Sequence, residues 1–227
     1  MGCKFSSRFL IDPTLPGHDE LSIAIYRTLQ LTDKDTTLLW REFSSIESRG
    51  LGIEVEIREL LNYLGPKSNN EITLKIFRKF AITHCDKLNL CEFICATWSF
   101  LSLQSDQLPA FCFMIFDHSD TMQLKWESIM RMASLLHDAA EVKGEDQQRQ
   151  TLADALEKGH VSELTLSQFE KYSSEHPLLC DPIQKLQQLY RAQVIGSYFW
   201  KDVSHKRNGN PGMNGAYYTK HLESLIR

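Results

Sequence analysis

The chain has 227 residues, 42% of them hydrophobic, which is enough for one large domain or two small lobes with a packed core. Its formal net charge of −4 gives no reason to expect nucleic acid as a ligand, because nucleic-acid binding usually needs a strongly basic face. No run of 18 apolar residues is present, so nothing in the sequence is expected to span a bilayer.

The first six residues match the N-myristoylation signal, with Gly2 exposed once Met1 is removed and Ser6 four positions later. Cys3 lies beside that glycine and is a candidate for palmitoylation. A second acyl chain matters because one myristoyl group gives only marginal, reversible membrane binding, with an association constant on the order of 10⁴ M⁻¹. Residues 1–18 are therefore predicted to form an acylated segment that anchors the chain peripherally at the cytoplasmic face of a membrane.

Apolar residues then recur at helical spacing, with little proline or glycine between them until about residue 206. This periodicity predicts helices over residues 19–31, 36–47, 56–64, 70–82, 89–104, 108–116, 125–142, 147–157 and 165–175. Asp181 and Pro182 are typical of a helix N-cap and a first helical position, and they predict one long helix that continues to about residue 206. Residues 208–227 are predicted to form a flexible linker and a short amphipathic tail, because the stretch up to Gly215 is rich in glycine and asparagine.

Four segments share one pattern: a helix, a polar stretch with one aliphatic residue inside it, and a second helix that opens on a large apolar residue. The closing apolar residues are Leu60, Phe93, Ile129 and Phe169, at separations of 33, 36 and 40 residues. In three segments the inner aliphatic residue is Val55, Leu88 or Leu164, and the remaining segment runs from Phe116 to Ile129. Over residues 36–175 this pattern resembles the EF-hand superfamily, and with the acylated N-terminus it resembles the calcineurin B and neuronal calcium sensor group.

The resemblance implies an all-α fold of four EF-hand-like helix-loop-helix units in two lobes, followed by a long C-terminal helix. The N-terminal lobe is expected over residues 19–104 and the C-terminal lobe over residues 105–176. The C-terminal helix is expected over residues 177–207.

The loops depart from the ligand pattern that calcium needs. An EF-hand loop supplies side-chain oxygens at positions 1, 3 and 5, a glycine at position 6 and a bidentate glutamate at position 12. Asp117 begins the third loop, but Met122 stands at its position 6, where the positive φ that glycine permits is disfavoured. In chain order, position 12 is occupied by Glu59, Glu92, Ser128 and Gln168. No loop combines an acidic first position with a glutamate at position 12, so the sequence predicts no physiological calcium binding and no cofactor.

The resemblance also implies a hydrophobic groove that binds an amphipathic helix of a partner protein through anchors at i, i+3, i+4 and i+7. The candidate partner-binding residues are Trp40, Phe43, Phe77, Phe80, Trp98, Phe113, Met130 and Met132. Most aromatic residues at helical spacing belong to a core, so these positions are expected to serve packing as well. The C-terminal helix and the tail from Ala216 are both candidates to occupy the groove in cis.

The sequence therefore predicts a non-enzymatic, membrane-anchored adaptor or regulatory subunit. Two alternatives remain open. One is a calcium sensor whose loops use irregular ligands. The other is a metal-dependent phosphohydrolase built on the His137-Asp138 doublet, which also needs an upstream histidine and a distant aspartate that no spacing rule selects.

Overall fold

The computed structural model describes residues 20–47, 53–68, 70–117, 121–140, 163–175, 177–210, 213 and 222. This part of the chain is mostly helical, as the periodicity predicts. None of its helices is long and apolar enough to cross a membrane. Three predicted features lie outside the described residues: the acylated segment 1–18 with Gly2 and Cys3, the helix over 147–157, and most of the tail over 208–227.

Up to residue 175, the described helices fall where the periodicity places them, and their ends differ from the predicted ends by only a few residues. Within the described ranges they are α1 (Glu20–Thr28), α2 (Asp33–Ile46), α3 (Ile57–Leu64), α4 (Glu71–Arg78), α5 (Leu90–Leu101), α6 (Leu108–Phe116), α7 (Trp126–Ala140), α8 (Leu166–Glu175), α9 (Asp181–Gln193) and α10 (Ser197–Asn208). Short 3₁₀ turns cover Pro66–Ser68, Ser105–Gln107 and Pro177–Leu179.

Polar side chains define where several helices begin. The Thr32 hydroxyl accepts a hydrogen bond from the Asp35 backbone N–H at 3.3 Å, and the Asp35 carboxylate accepts one from the Thr32 backbone N–H at 2.9 Å. The Asn70 side chain accepts from the Thr73 backbone N–H at 2.9 Å in the same way. Such caps are worth about 1 kcal/mol each, because they satisfy N–H groups that the first turn leaves open. Helix α2 consequently begins at Asp33, earlier than the predicted residue 36.

Two small antiparallel sheets join the loops in pairs. Strand β1 (Glu54–Glu56) pairs with β2 (Lys87–Asn89), and β3 (Gln123–Lys125) pairs with β4 (Glu163–Thr165). The central residues are buried aliphatic side chains, with Val55 opposite Leu88 and Leu124 opposite Leu164. The inner aliphatic residues of the sequence pattern are therefore the contacts that join the four described strands in two pairs. The strands themselves are not predicted by the sequence, since three residues are too few to show an alternating pattern.

Helix α5 lies at the centre of the molecule. All of its residues except Cys91 are buried, which is the pattern of a helix that is apolar around its whole circumference. It contacts α2, α4 and α9, and its Phe93 ring lies 5.4 Å from the Phe43 ring of α2. One continuous core extends from Ile25 in α1 to Val203 in α10, so residues of both predicted lobes share it.

The predicted long C-terminal helix is interrupted. Helices α9 and α10 are separated at residues 194–196, where Ile195 has a φ of 65° and Gly196 a φ of 117°. Neither value is compatible with a right-handed helix. The buried indole of Trp200 donates to the Val194 carbonyl at 2.7 Å and so fixes the turn from within the core.

The sheet contacts generate a stability prediction. Leu88→Ala should lower the free energy of unfolding by about 2–5 kcal/mol, because it removes a fully buried side chain and leaves a cavity beside Val55. Leu21→Ala is the matched control, since Leu21 is 49% exposed. Urea denaturation monitored by tryptophan fluorescence measures both variants. Equal losses would contradict the role assigned to the β1–β2 contact.

Candidate functional site

The second predicted loop closes on the carboxylate of Glu92, which is almost completely buried. One carboxylate oxygen accepts the backbone N–H groups of Ile82 at 2.9 Å and Thr83 at 2.7 Å. The other oxygen accepts the backbone N–H of Asn89 at 2.9 Å. The Asn89 side chain accepts in return from the Glu92 backbone N–H, which completes a capping box at the start of α5. The group that would chelate calcium at position 12 is thus bound to the chain's own amides.

Position 12 has the same capping role in two further loops. The Glu59 carboxylate accepts from the Glu56 backbone N–H at 3.0 Å, at the start of α3. The Gln168 side-chain oxygen accepts from the Thr165 backbone N–H at 2.9 Å, at the start of α8. These side chains therefore stabilise the helices that leave the loops.

Asp117 closes the third loop by a similar arrangement. One of its carboxylate oxygens accepts from the Thr121 backbone N–H at 3.2 Å, and the other accepts from the Met122 backbone N–H at 2.8 Å. The expectation that Met122 avoids a positive φ is wrong, because its φ is 57°. A left-handed backbone costs a residue with a side chain about 1–2 kcal/mol, and the contacts of Asp117 hold Met122 in that conformation. The loop therefore makes its turn without glycine.

A carboxylate of the first loop contacts two side chains of the second loop. Glu54 lies 2.7 Å from His84 Nδ1 and 3.2 Å from Lys87 Nζ. The hydrogen bond from Lys87, with further attraction from His84, lowers the pKa of Glu54 below its ordinary value. Across the described ranges, no group of three or more histidine, cysteine, aspartate or glutamate side chains is placed to hold a metal ion. His137 and Asp138 lie on α7, and their side chains fall outside the described part of the chain.

The predicted partner-binding residues all lie in, or pack against, the one large core cluster. The buried members are Phe43, Phe77, Phe80, Trp98, Phe113 and Met132. Trp40 and Met130 are half-buried at its edge. The structure thus gathers the predicted residues around the central helices, where other parts of the chain cover most of them.

Helix α9 is one of the elements that cover this core, because it packs against α5, α6 and α7. Its Ile183 and Leu186 side chains are buried, and its Tyr190 ring makes an edge contact with the Phe100 ring at 6.2 Å between centroids. The Tyr190 hydroxyl lies 2.5 Å from the Thr73 hydroxyl of α4. Burial raises the pKa of Tyr190 to about 12, so the phenol remains neutral at physiological pH.

Polar side chains of α9 meet the carboxyl end of α5. The Gln187 amide donates to the Phe100 carbonyl at 2.7 Å and to the Leu103 carbonyl at 3.1 Å. The Arg191 guanidinium donates to the Leu101 carbonyl at 2.6 Å and to the Leu103 carbonyl at 2.7 Å. The last carbonyls of a helix lack partners within the helix, and their partial negative charge favours a cation. Gln187 and Arg191, which we call the donor pair, therefore satisfy the last two carbonyls of α5 and the Leu103 carbonyl just after it.

Helix α10 adds a buried cation to the same end of α5. The Arg207 guanidinium is 1% exposed and lies 4.1 Å from the centroid of the Trp98 ring. It also donates to the Ser102 hydroxyl at 2.8 Å and to the Ser99 carbonyl at 3.3 Å. Its Nε donates to the carbonyl of Met213 at 3.1 Å, which connects the tail to the core. A desolvated arginine over an indole is a strong cation–π contact, so this residue holds α10 against α5.

Side chains of α2 and α3 lie next to the turn between α9 and α10. The Tyr63 hydroxyl lies within hydrogen-bonding reach of the Glu42 carboxylate and 2.8 Å from the Gln193 carbonyl. Burial raises the pKa of Glu42 above its ordinary value. Lys206 of α10 lies 3.4 Å from the Asp35 carboxylate at the start of α2.

Sequence reasoning missed the donor pair and Arg207. One signal for the donor pair was present, since Gln187 and Arg191 follow Ile183 at intervals of four residues and so share its buried helix face. Polar residues on the apolar face of a helix indicate that this face meets hydrogen-bond acceptors. No comparable signal marked Arg207, because its partners Ser99 and Ser102 lie more than a hundred residues earlier in the chain.

No protein-family model matches this sequence, and no curated protein matches it. A fold on its own does not define a function, so the contacts of the site have to carry the functional argument.

The loop contacts predict a calcium-independent role for Glu92. Glu92→Gln should lower the free energy of unfolding by about 1–3 kcal/mol. The substitution replaces one accepting carboxylate oxygen by an NH₂ group, which cannot accept a hydrogen bond from the backbone N–H that faces it. The exposed Glu170→Gln on α8 is the matched control and should be close to neutral. Thermal unfolding with calcium and with EDTA measures both. A loss that appears only with calcium would indicate that Glu92 is a metal ligand.

Proposed function

We propose that this chain is a membrane-anchored, calcium-independent adaptor or regulatory subunit with four EF-hand-like units. In this proposal it binds an amphipathic helix of a partner protein in a groove that its own C-terminal helices fill at rest. The observation that carries the proposal is the seating of α9 over α5, α6 and α7, where an amphipathic helix covers the central aromatic residues.

The pairing of the loops supports the EF-hand-like assignment. Each of the four strands directly precedes a helix, and the strands join in twos through buried aliphatic residues. The same residues mark the repeat of about 36 residues in the sequence. Two helix-strand-helix units joined in this way form a pair in which each loop supports the other.

The hydrogen bonds of the loops support independence from calcium. Glu92 stands at position 12 of the second loop and Asp117 at position 1 of the third, and both carboxylates accept hydrogen bonds from backbone N–H groups. Calcium affinity rises with the number of charged ligands that a loop can contribute. A loop whose carboxylate already holds its own amides gains little from the ion.

The placement of α9 and α10 supports the adaptor role. A helix in a hydrophobic groove is a common way to recognise a peptide, and here the chain provides such a helix itself. A partner helix can bind only to molecules whose groove is open, so its apparent affinity is the intrinsic affinity multiplied by the fraction of molecules in that state. The stability of the C-terminal helices in the groove thereby sets the binding free energy that a partner helix has to exceed.

The cis-occupied groove leads to a binding prediction. Deleting residues 208–227 removes the Leu222 side chain from the core and the Met213 carbonyl from Arg207, and so loosens α10. A labelled synthetic peptide of residues 181–208 should then bind about tenfold more tightly than it binds the full chain. Fluorescence anisotropy in EDTA measures the affinity, and thermal unfolding checks that the shortened chain is folded. Unchanged affinity would contradict cis occupancy, and binding that requires calcium would favour a calcium sensor.

The proposed anchor leads to a second prediction. Chain co-expressed with an N-myristoyltransferase should sediment in part with vesicles that contain anionic lipid, because one myristoyl group binds reversibly, and Gly2→Ala should remain in the supernatant. Cys3→Ser is the informative companion in eukaryotic cells, where it should keep the myristoyl group but lose stable membrane association. Equal membrane fractions for all three chains would rule out lipid anchoring through Gly2 and Cys3.

A further inference from the structure

We propose that the cleft between the end of α9 and the exposed side of α10 binds a phosphate monoester. The cleft has a volume of about 350 Å³, and its walls include Arg191, Tyr198, Lys201, Asp202 and His205. Small-molecule sites typically have volumes of about 300–1,000 Å³, so this cleft has room for a phosphate group attached to a small organic ring. These polar walls lie outside the apolar surface of the proposed groove, so the proposal does not depend on the adaptor role.

Arg191 brings a cation without a carboxylate partner to this cleft. Its guanidinium donates to the Leu101 carbonyl at 2.6 Å and to the Leu103 carbonyl at 2.7 Å, and these two bonds fix its orientation. Its Nη1 makes no hydrogen bond to a residue of the described ranges, and no carboxylate of those ranges forms an ion pair with it. Partial burial therefore lowers the pKa of the guanidinium, because no anion offsets the loss of water. A bound anion would supply the missing partner.

One side of α10 supplies the opposite wall. Tyr198, Lys201 and His205 are exposed and follow one another at intervals of three and four residues, so they lie along a single helix face. Neither Lys201 nor His205 forms an ion pair with another described residue. Tyr198 is 87% exposed, which is unusual for an aromatic side chain, and its ring can pack against the organic part of a ligand.

The balance of charge favours a phosphate over a carboxylate. Asp202 is the acidic residue of the cleft walls, and its carboxylate lies 2.8 Å from Lys206 Nζ, which neutralises it. The charges of Arg191 and Lys201 are therefore not balanced by the described residues. A phosphate monoester carries about −1.5 to −2 charges at pH 7 and matches both cations, whereas a single carboxylate balances only one. The planar guanidinium also suits the oxygen geometry of a phosphate group.

The test begins with soluble phosphates and the full-length chain. Isothermal titration calorimetry measures the binding of inositol trisphosphate, which carries phosphate monoesters on a small ring, and of inorganic phosphate. Ionic strength is held constant, because salt screens the attraction between exposed charges. We expect saturable binding of inositol trisphosphate with a stoichiometry of one, and weaker binding of inorganic phosphate.

Matched charge variants locate the site. Lys201→Gln and Arg191→Gln should each weaken the binding of inositol trisphosphate about tenfold, because each removes a charged hydrogen-bond donor. Lys185→Gln, on the exposed face of α9, makes the same change of charge outside the cleft and should leave the affinity unchanged. Asp202→Asn should tighten binding about threefold, because it removes a negative charge from the wall. Lys201 is exposed, so Lys201→Gln provides the test if Arg191→Gln does not fold.

A second arm distinguishes a free phosphate ester from a lipid headgroup. It measures sedimentation of the Gly2→Ala chain with phosphatidylcholine vesicles that do or do not contain phosphatidylinositol bisphosphate, so that acylation does not contribute. Sedimentation that requires the phosphorylated lipid and is lost with Lys201→Gln would support the site and identify a headgroup as its ligand. Binding of soluble phosphates without sedimentation would support the site and identify a free phosphate ester.

Two results would overturn the proposal. One is the absence of saturable binding of both inositol trisphosphate and inorganic phosphate to the folded chain. The other is an equal loss of affinity with Lys185→Gln and Lys201→Gln, which would show that the phosphates respond to net charge and not to the cleft. Neither result bears on the groove, whose occupancy is tested separately by the peptide of residues 181–208.

Discussion

Helix α5 is surrounded by other described parts of the chain, so the buried Ser99 and Phe100 carbonyls near its carboxyl end depend on donors within the protein for hydrogen bonds. Side chains from the last part of the described chain meet this need: Gln187 from α9 and Arg207 from α10. The position of the C-terminal helices follows from this constraint. Apolar burial brings them to the core, and the donors determine where along α5 they stop.

The same principle operates at the loops. Glu92 and Asp117 are buried carboxylates, and a buried charge has to be hydrogen-bonded or paired. In each case the backbone of the loop supplies the partners. Backbone N–H groups of the chain thus bind carboxylates of the kind that could otherwise hold an ion. In the proposed function, this arrangement leaves the described loop contacts independent of calcium.

Most of the helices could be predicted from sequence because their apolar periodicity extends over several turns, as in residues 108–116 and 165–175. The inner aliphatic residues were also recognisable, although the strands that contain them are too short to carry a pattern. The break after Val194 was missed because a single glycine inside an apolar stripe does not by itself end a helix. The donor pair was missed for a different reason. A glutamine and an arginine on a helix are usually solvent-exposed, and their buried partners become evident only when α5 and α9 are seen together.

Hydrogen exchange measured by mass spectrometry tests the displacement of the C-terminal helices most directly. The full-length chain is compared in EDTA with and without a saturating, isotopically labelled peptide of residues 181–208, whose fragments separate by mass from those of the protein. Release of the cis helices predicts faster exchange across α9 and α10 in the complex, while the amides of α5 keep their protection. Unchanged protection of α9 and α10 with the peptide bound would contradict the account, because the groove would then not be the site that the peptide occupies.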